Sequence, residues 1–288
     1  MRILVTGARG MLGIDLAEVL REKPPVHDLV LWDVEEADIT NADAFRAALL
    51  GIPEPPEVVV NCAAYTAVDR AETERELAAA VNADGAGNVA RAAREVGARV
   101  VYISTDYIFS GKKKAPWRED DPPNPVSVYG KTKLEGEKQT LEACPDALIV
   151  RIQWLYGPRG KNFLETMLRL AGERDELRVV DDQYGSPTYT VDLARALKVL
   201  IEGKHRGVYH VANSGETTWY GFAREIMARV GRDIPVVPIP TEEYPTPARR
   251  PENSVLDMTK FQNDTGMTMP PWQEGLLAYL SRRGLLDE

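Results

Sequence analysis

The chain has 288 residues and a formal net charge of −9, with 35 Lys and Arg against 44 Asp and Glu. That acidic balance argues against nucleic acid or an anionic membrane surface as the main partner, while 44% hydrophobic and 27% charged residues suit a globular protein with a full core. Cys62 and Cys144 stand in no metal or redox spacing and His27, His205 and His210 form no ligand cluster, so reduced thiols in a cytoplasm are expected.

In chain order, RILVT reads as a strand and MLGIDLAEVLRE as a helix, with no signal peptide before them. DLVLWD is a second strand, NADAFRAALL a helix closed by Gly51, and EVVVNCAA a third strand. Helical periodicity runs from Glu72 to Glu95 with a break near Asn82, then RVVYIST forms a strand. A helix starting near Tyr129 leads to ALIVRIQWLYG. Continuous Val, Ile and Leu strands alternating with helices indicate a parallel sheet covered on both faces, a doubly wound α/β fold of Rossmann type.

After about Ile152 the rhythm loosens. NFLETMLRLAGE, TVDLARALKVLIE and WYGFAREIMARVG read as helices, LRVVDD and GVYHVAN as strands, and 235–256 is dense in proline. The expected organisation is a dinucleotide-binding domain over residues 1–152, with segments within 178–202 returning to it. A smaller C-terminal substrate-binding domain spans 153–288. No apolar run approaches a membrane span.

GARGMLG places glycines at 7, 10 and 13, after the first strand and opening the first helix. Gly7 permits the tight turn, Gly10 lets backbone N–H groups approach a pyrophosphate, and Gly13 lets helix and sheet pack closely. Asp33 ends the second strand at the offset of a carboxylate that grips ribose hydroxyls. A structural turn with a surface aspartate is the plainer alternative, and the joint spacing favours a dinucleotide. Asp33 would repel a 2′-phosphate and favours NADH, whereas Arg9 within the turn would attract that phosphate. NADPH and NADH both stay open.

SVYGKTK sets a tyrosine and two lysines at a helix start. Residues four apart share a helix face, so Lys133 stands beside Tyr129 while Lys131 points away. A free tyrosine has a pKa of about 10; an ammonium at ~4 Å in an effective dielectric of ~20 supplies ~4 kcal/mol, roughly three pKa units. That would make Tyr129 a general acid near neutrality. Ser104 or Thr105, at the C-terminal end of the preceding parallel strand, would orient a substrate carbonyl. Alone, Y-x-x-x-K is more often a surface pair; the glycine turn and STD reverse that balance.

The glycine spacing with YGKTK resembles the extended short-chain dehydrogenase/reductase superfamily, whose pattern selects Thr105. NCAAYTAVDRAE, STDYIFSG, RIQWLYGPRGKNF, DDQYGSPT and YPTPARRPENSVLD further resemble the dTDP-4-dehydrorhamnose reductase family over nearly the whole chain. The resemblance implies an NAD(P)H-dependent enzyme reducing C4 of a 4-keto-6-deoxy sugar on a dTDP carrier, with Thr105, Tyr129 and Lys133 catalytic. It also sets Tyr129 and Lys133 against the cofactor, the Lys133 ammonium within reach of the nicotinamide ribose. It places Met11, Leu12, Asp38, Ala63, Ala64 and Tyr65 with Gly7, Arg9, Gly10, Gly13 and Asp33 around the cofactor. Val68, Asp69, Asp106, Tyr107, Trp154 and Asn162 would surround the substrate. Arg249 and Arg250, in a proline-bracketed loop, suit its diphosphate, one of the two facing it. The resemblance admits a homodimer, some members being bridged by Mg²⁺ through helix acids. Asp15 stands where one acid would sit, but no matching acid follows, so no catalytic metal is expected. Competing readings are a sugar-nucleotide epimerase or dehydratase that recycles NAD⁺, and a non-catalytic regulator of methionine adenosyltransferase type.

Overall fold

The computed structural model describes residues 1–22 and 27–286; the last two residues of the expected second domain, 287–288, lie outside it. Six parallel strands form the main sheet in the order β10-β5-β4-β3-β1-β2. They are β1 (Arg2–Thr6), β2 (Asp28–Trp32), β3 (Val58–Asn61), β4 (Arg99–Thr105), β5 (Leu148–Ile152) and β10 (Gly207–His210). Alternate side chains enter two separate cores. Ile3, Val5, Val58, Val60 and Val101 pack with Leu16 and Leu20 of α1 (Met11–Arg21) and Leu193, Leu197 and Leu200 of α8 (Thr190–Glu202). Leu4, Val59, Val100 and Tyr102 point the other way, onto Phe45 and Leu49 of α2 (Ala42–Leu50) and Val89 of α5 (Gly85–Glu95). Strands buried on both faces explain why these segments read as unbroken apolar runs.

Helix starts follow their capping residues. Asn41 accepts the Ala44 N–H at 3.1 Å to open α2, and Ser127 accepts the Gly130 N–H at 3.1 Å to open α6 (Val128–Ala143). The break expected near Asn82 is a π-helical turn, Ala80–Asp84, between α4 (Arg75–Ala79) and α5. Buried Asn82 uses both ends of its amide there. It accepts the Tyr65 N–H at 2.8 Å and donates to the Tyr65 carbonyl and to Thr132 Oγ1, each at 3.1 Å. The turn thus ties the segment after β3, including the short α3 (Val68–Ala71), to α6.

The second lobe has its own core, in which Tyr156, Leu164, Phe222, Trp272, Leu276 and Tyr279 meet. It is built on α7 (Phe163–Leu170), α9 (Trp219–Arg229), α11 (Trp272–Arg282) and three small ladders. These pair β7 (Leu177–Val180) with β12 (Val236–Ile239), β6 (Leu155–Tyr156) with β9 (Thr188–Tyr189), and β8 (Tyr184–Gly185) with β11 (Thr217–Thr218). The segment 178–202 is therefore divided. Its start pairs with β12, and its end, α8, covers the main sheet ahead of β10, the strand that joins it. α10 (Thr259–Thr265) buries Phe261 in that same core beside α8. No helix among the described residues is long and apolar enough to cross a membrane.

Candidate active site

The chain runs from β1 outward to β2, then returns across β1 to β3, so the loops after β1 and β3 diverge and open a groove at the strands' C-terminal ends. Gly7, at φ +64°, sits where a Cβ would come within 2.7 Å of the Ala63 nitrogen. A Cβ on Gly13 would approach the Gly7 carbonyl oxygen to 2.4 Å, so only glycine lets α1 begin this close to the turn. Gly10 caps α1 without a side-chain hydrogen bond, leaving first-turn N–H groups for an anion. The arrangement fits a dinucleotide pyrophosphate.

Gly7, Gly10, Met11, Leu12, Gly13 and Ala64 line the inner stretch of the groove, together with Thr105, Tyr129 and Lys133. Arg9, Asp33, Asp38 and Ala63 line its outer end, which shares Gly7, Gly10, Cys62 and Ala64 with the inner stretch. Tyr65 is turned aside, its hydroxyl on Glu74. Val68, Asp106, Tyr107 and Trp154 border the inner stretch.

The strand end and the helix start meet closely. Thr105 donates to Asp106 Oδ1 at 2.9 Å and accepts the Tyr107 N–H at 3.2 Å. The Tyr107 and Tyr129 rings meet edge to face with centroids 5.4 Å apart. Gly130 permits this contact, because a Cβ there would lie 2.1 Å from the Tyr107 carbonyl oxygen. Burial pushes the Tyr129 phenol up and the Asp106 carboxylate adds to it, while the Thr105 hydroxyl acts the other way. Burial also lifts Asp106 to about 6.

Lys133 departs from expectation. The residue is 2% exposed, and its ammonium donates to the Ile103 carbonyl at 2.7 Å and lies 4.1 Å from the Tyr102 ring centroid. Burial draws it down to about 7, with Glu137 and Cys62 opposing. It does not figure among the groups acting on Tyr129, so the protein alone does not lower that phenol as the helical spacing suggested. The reason is tertiary: the stem runs under β4 to a backbone carbonyl. Glu137 is itself held by Arg151 at 3.0 and 2.9 Å and by the Ser104 hydroxyl. Burial pushes the Cys62 thiol up to about 12.

A second cavity adjoins the first at Tyr107 and runs into the C-terminal lobe between Phe163, Trp219, Arg174, Arg178, Tyr244 and Arg250. Arg250 grips Asp69 with two bonds of 2.7 Å, which holds the Asp69 carboxyl below the usual range, and Asp69 also accepts the Ala248 N–H at 3.1 Å. Arg249 is exposed and lines neither cavity. Trp154 stacks on Trp219 with centroids 3.5 Å apart, at a backbone φ of +44° seldom adopted by a bulky residue. Gly185 lies beneath it, since a Cβ would come within 2.4 Å of that indole. Asn162 caps α7, accepting the Glu165 N–H at 3.0 Å and donating to the Gly157 carbonyl at 2.9 Å. Phe163, Trp219, Arg174 and Arg178 carry no sequence signal; amphipathic helices and a strand bring them together. Asp15 is engaged by Thr190 and by Arg282 at 3.0 Å. Among the described residues no group of three or more His, Cys, Asp or Glu is placed to hold a metal.

A family model described as the RmlD substrate binding domain matches residues 1–284. A dTDP-4-dehydrorhamnose reductase of Escherichia coli is 41% identical over 98% of this chain and 97% of its own. Among solved structures, a dTDP-4-dehydrorhamnose reductase of Clostridium acetobutylicum superposes with a TM-score of 0.94 at 44% identity, over 99% of this chain and 100% of its own. Another from Bacillus anthracis, solved in complex with NADP, gives 0.93 at 41% identity over 98% and 99%.

Proposed function

We propose that this chain, which belongs to the RmlD substrate binding domain family, reduces the C4 keto group of dTDP-4-dehydro-L-rhamnose to dTDP-L-rhamnose with NADPH or NADH. One observation carries the reading. The groove that fits a dinucleotide ends at Thr105 and Tyr129, and at Tyr107 it opens into a cavity of the second lobe lined by arginines and aromatic rings.

The bound nicotinamide supplies the hydride. Gly7, Gly10 and Gly13 receive the pyrophosphate against the start of α1, and Asp33 takes ribose hydroxyls. Thr105 orients the substrate carbonyl. Tyr129 holds the proton that the C4 oxygen receives, and its raised pKa keeps that proton in place until charge develops on that oxygen. Lys133, at about 7, is poised to gain or release a proton near neutrality when a ligand changes its surroundings. Arg250, held in place by Asp69, borders with Arg174 and Arg178 the cavity that would take the diphosphate, while Trp154 and Trp219 wall the sugar side and limit water. A cytoplasmic setting suits the two unpaired cysteines, Cys62 and Cys144. The family resemblance also admits a homodimer.

The test is a coupled assay in which dTDP-4-dehydro-L-rhamnose is presented with NADPH or NADH. Stoichiometric oxidation of the nicotinamide, with dTDP-L-rhamnose formed, is expected. Turnover without net oxidation would point to an epimerase instead, and no turnover with either cofactor would overturn the reading.

A further inference from the structure

The outer end of the groove carries Arg9 and Asp33, with Glu35 and Glu36 beside them in a single turn. Arg9 is a cation of the glycine turn itself, and its guanidinium is occupied on both sides. One terminal nitrogen donates to Glu35 and the other to Glu36. Its backbone N–H donates to Asp33 Oδ2 at 2.9 Å, and the second oxygen of Glu36 accepts the Asp33 N–H at 2.8 Å. The segment 33–36 therefore folds as one unit around Arg9, with Asp33 facing the groove and the two glutamates behind it. The Glu36 hydrogen bond, first among several influences, holds the Arg9 guanidinium further charged. The Asp33 backbone bond and Arg9 together lower Glu36. Glu36, Glu35 and Asp33 thus all act on one guanidinium, and Asp38 lines the same wall of the groove.

A ribose 2′-hydroxyl finds an acceptor in Asp33. A 2′-phosphate finds a net negative wall and an arginine already paired. We propose that Glu35 and Glu36 form a specificity clamp: by holding Arg9 they deny it to a 2′-phosphate, so that this chain selects NADH over NADPH. The inference rests on the groove being the nicotinamide-dinucleotide site. The related Bacillus anthracis structure contains NADP, so membership of the family does not decide the choice; residues 33–36 of this chain do.

The two ion pairs are exposed, so each alone shifts affinity only a few-fold; acting together with Asp33 they set an expected preference of about tenfold at low ionic strength. The preference should shrink as added salt brings the Debye length from about 10 Å at 0.1 M to about 3 Å at 1 M.

The experiment is a fluorescence titration of the purified full chain with NADH and with NADPH, without sugar substrate. It uses four proteins: the natural sequence, Arg9→Ala, the double variant Glu35→Gln with Glu36→Gln, and the triple combination. The natural chain should bind NADH about tenfold tighter. The double variant should gain NADPH affinity by a similar factor while NADH changes little, and adding Arg9→Ala should cancel that gain. Arg9→Ala alone should not raise NADPH affinity, since it leaves Glu35 and Glu36 unneutralised beside the groove. Equal affinities in the natural chain, or no gain in NADPH affinity in the double variant, would overturn the clamp and leave the cofactor reading standing. Binding of neither nucleotide would overturn the cofactor reading, and the clamp with it.

Discussion

Replacing Lys133 by methionine keeps a long apolar stem and removes the ammonium. In the fold this group titrates at about 7, against 10.5 for a free lysine. Between those values the unfolded chain holds a proton that the native protein has released, so native stability rises with pH by about 1.36 kcal/mol per unit. The burden of the buried charge is therefore fullest below pH 7 and fades as pH climbs toward the unfolded value. From pH 7 to pH 9 the natural chain should gain about 2 kcal/mol from this group, the first part of the interval being blunted by partial titration. Lys133→Met has no such gain. It also loses the 2.7 Å bond to Ile103 and the contact with Tyr102, whose dependence on the ammonium's charge is already contained in its lowered pKa. Urea unfolding of both ligand-free proteins at pH 7, 8 and 9 isolates the effect. The variant's stability relative to the natural chain should fall by about 2 kcal/mol across the series. A difference that stays constant to within about 0.5 kcal/mol would refute the buried, weakly basic lysine. The same variant should lose turnover and cofactor affinity together.

Tyr129→Phe removes the proposed proton donor, so turnover should drop about 10²- to 10⁴-fold with NADH binding unchanged; normal turnover would sink the assignment. Asp106 titrates at about 6 in the fold against 3.8 in the unfolded chain, so its neutral form is the one the fold favours. That contribution, about 3 kcal/mol, is full below pH 4 and lost as pH rises through 6. Asp106→Asn should flatten the stability curve between those limits, and an unaltered slope in thermal melts would contradict it. Arg250→Ala should raise KM for the dTDP-sugar about tenfold or more, while Arg249→Ala changes it less than about twofold. Equal effects would refute the choice of Arg250.

Much of the shape of the groove was legible because its signals are local. Turn chemistry at Gly7 and Gly13, a capping serine at Ser127 and unbroken apolar strands each act within a few residues. Where the reading fell short, the deciding contact is long-range. Asp69 and Arg250 are 181 positions apart, and nothing in either segment shows that one arginine of the pair is claimed by an aspartate. The i,i+4 spacing put Lys133 on the face of Tyr129, but burial under β4 decided where the ammonium went. The resemblance sets Asn162 beside the sugar, whereas its side chain is engaged in capping α7. The wall of Phe163, Arg174, Arg178 and Trp219 arises only when separate elements pack.

The sixth strand and α8 bear on how this chain can be divided. A truncated gene stopping after Ile152 would encode the glycine turn, Thr105, Tyr129 and Lys133, yet leave β5 as an open edge without β10. It would also uncover Leu16 and Leu20 of α1, which Leu193, Leu197 and Leu200 now shield. Such a fragment would offer an unprotected strand beside a greasy helix face, a combination that favours aggregation over folding. Recombination between relatives at the apparent midpoint would meet the same obstacle, so viable crossovers should lie where both partners of the α1–α8 interface travel together.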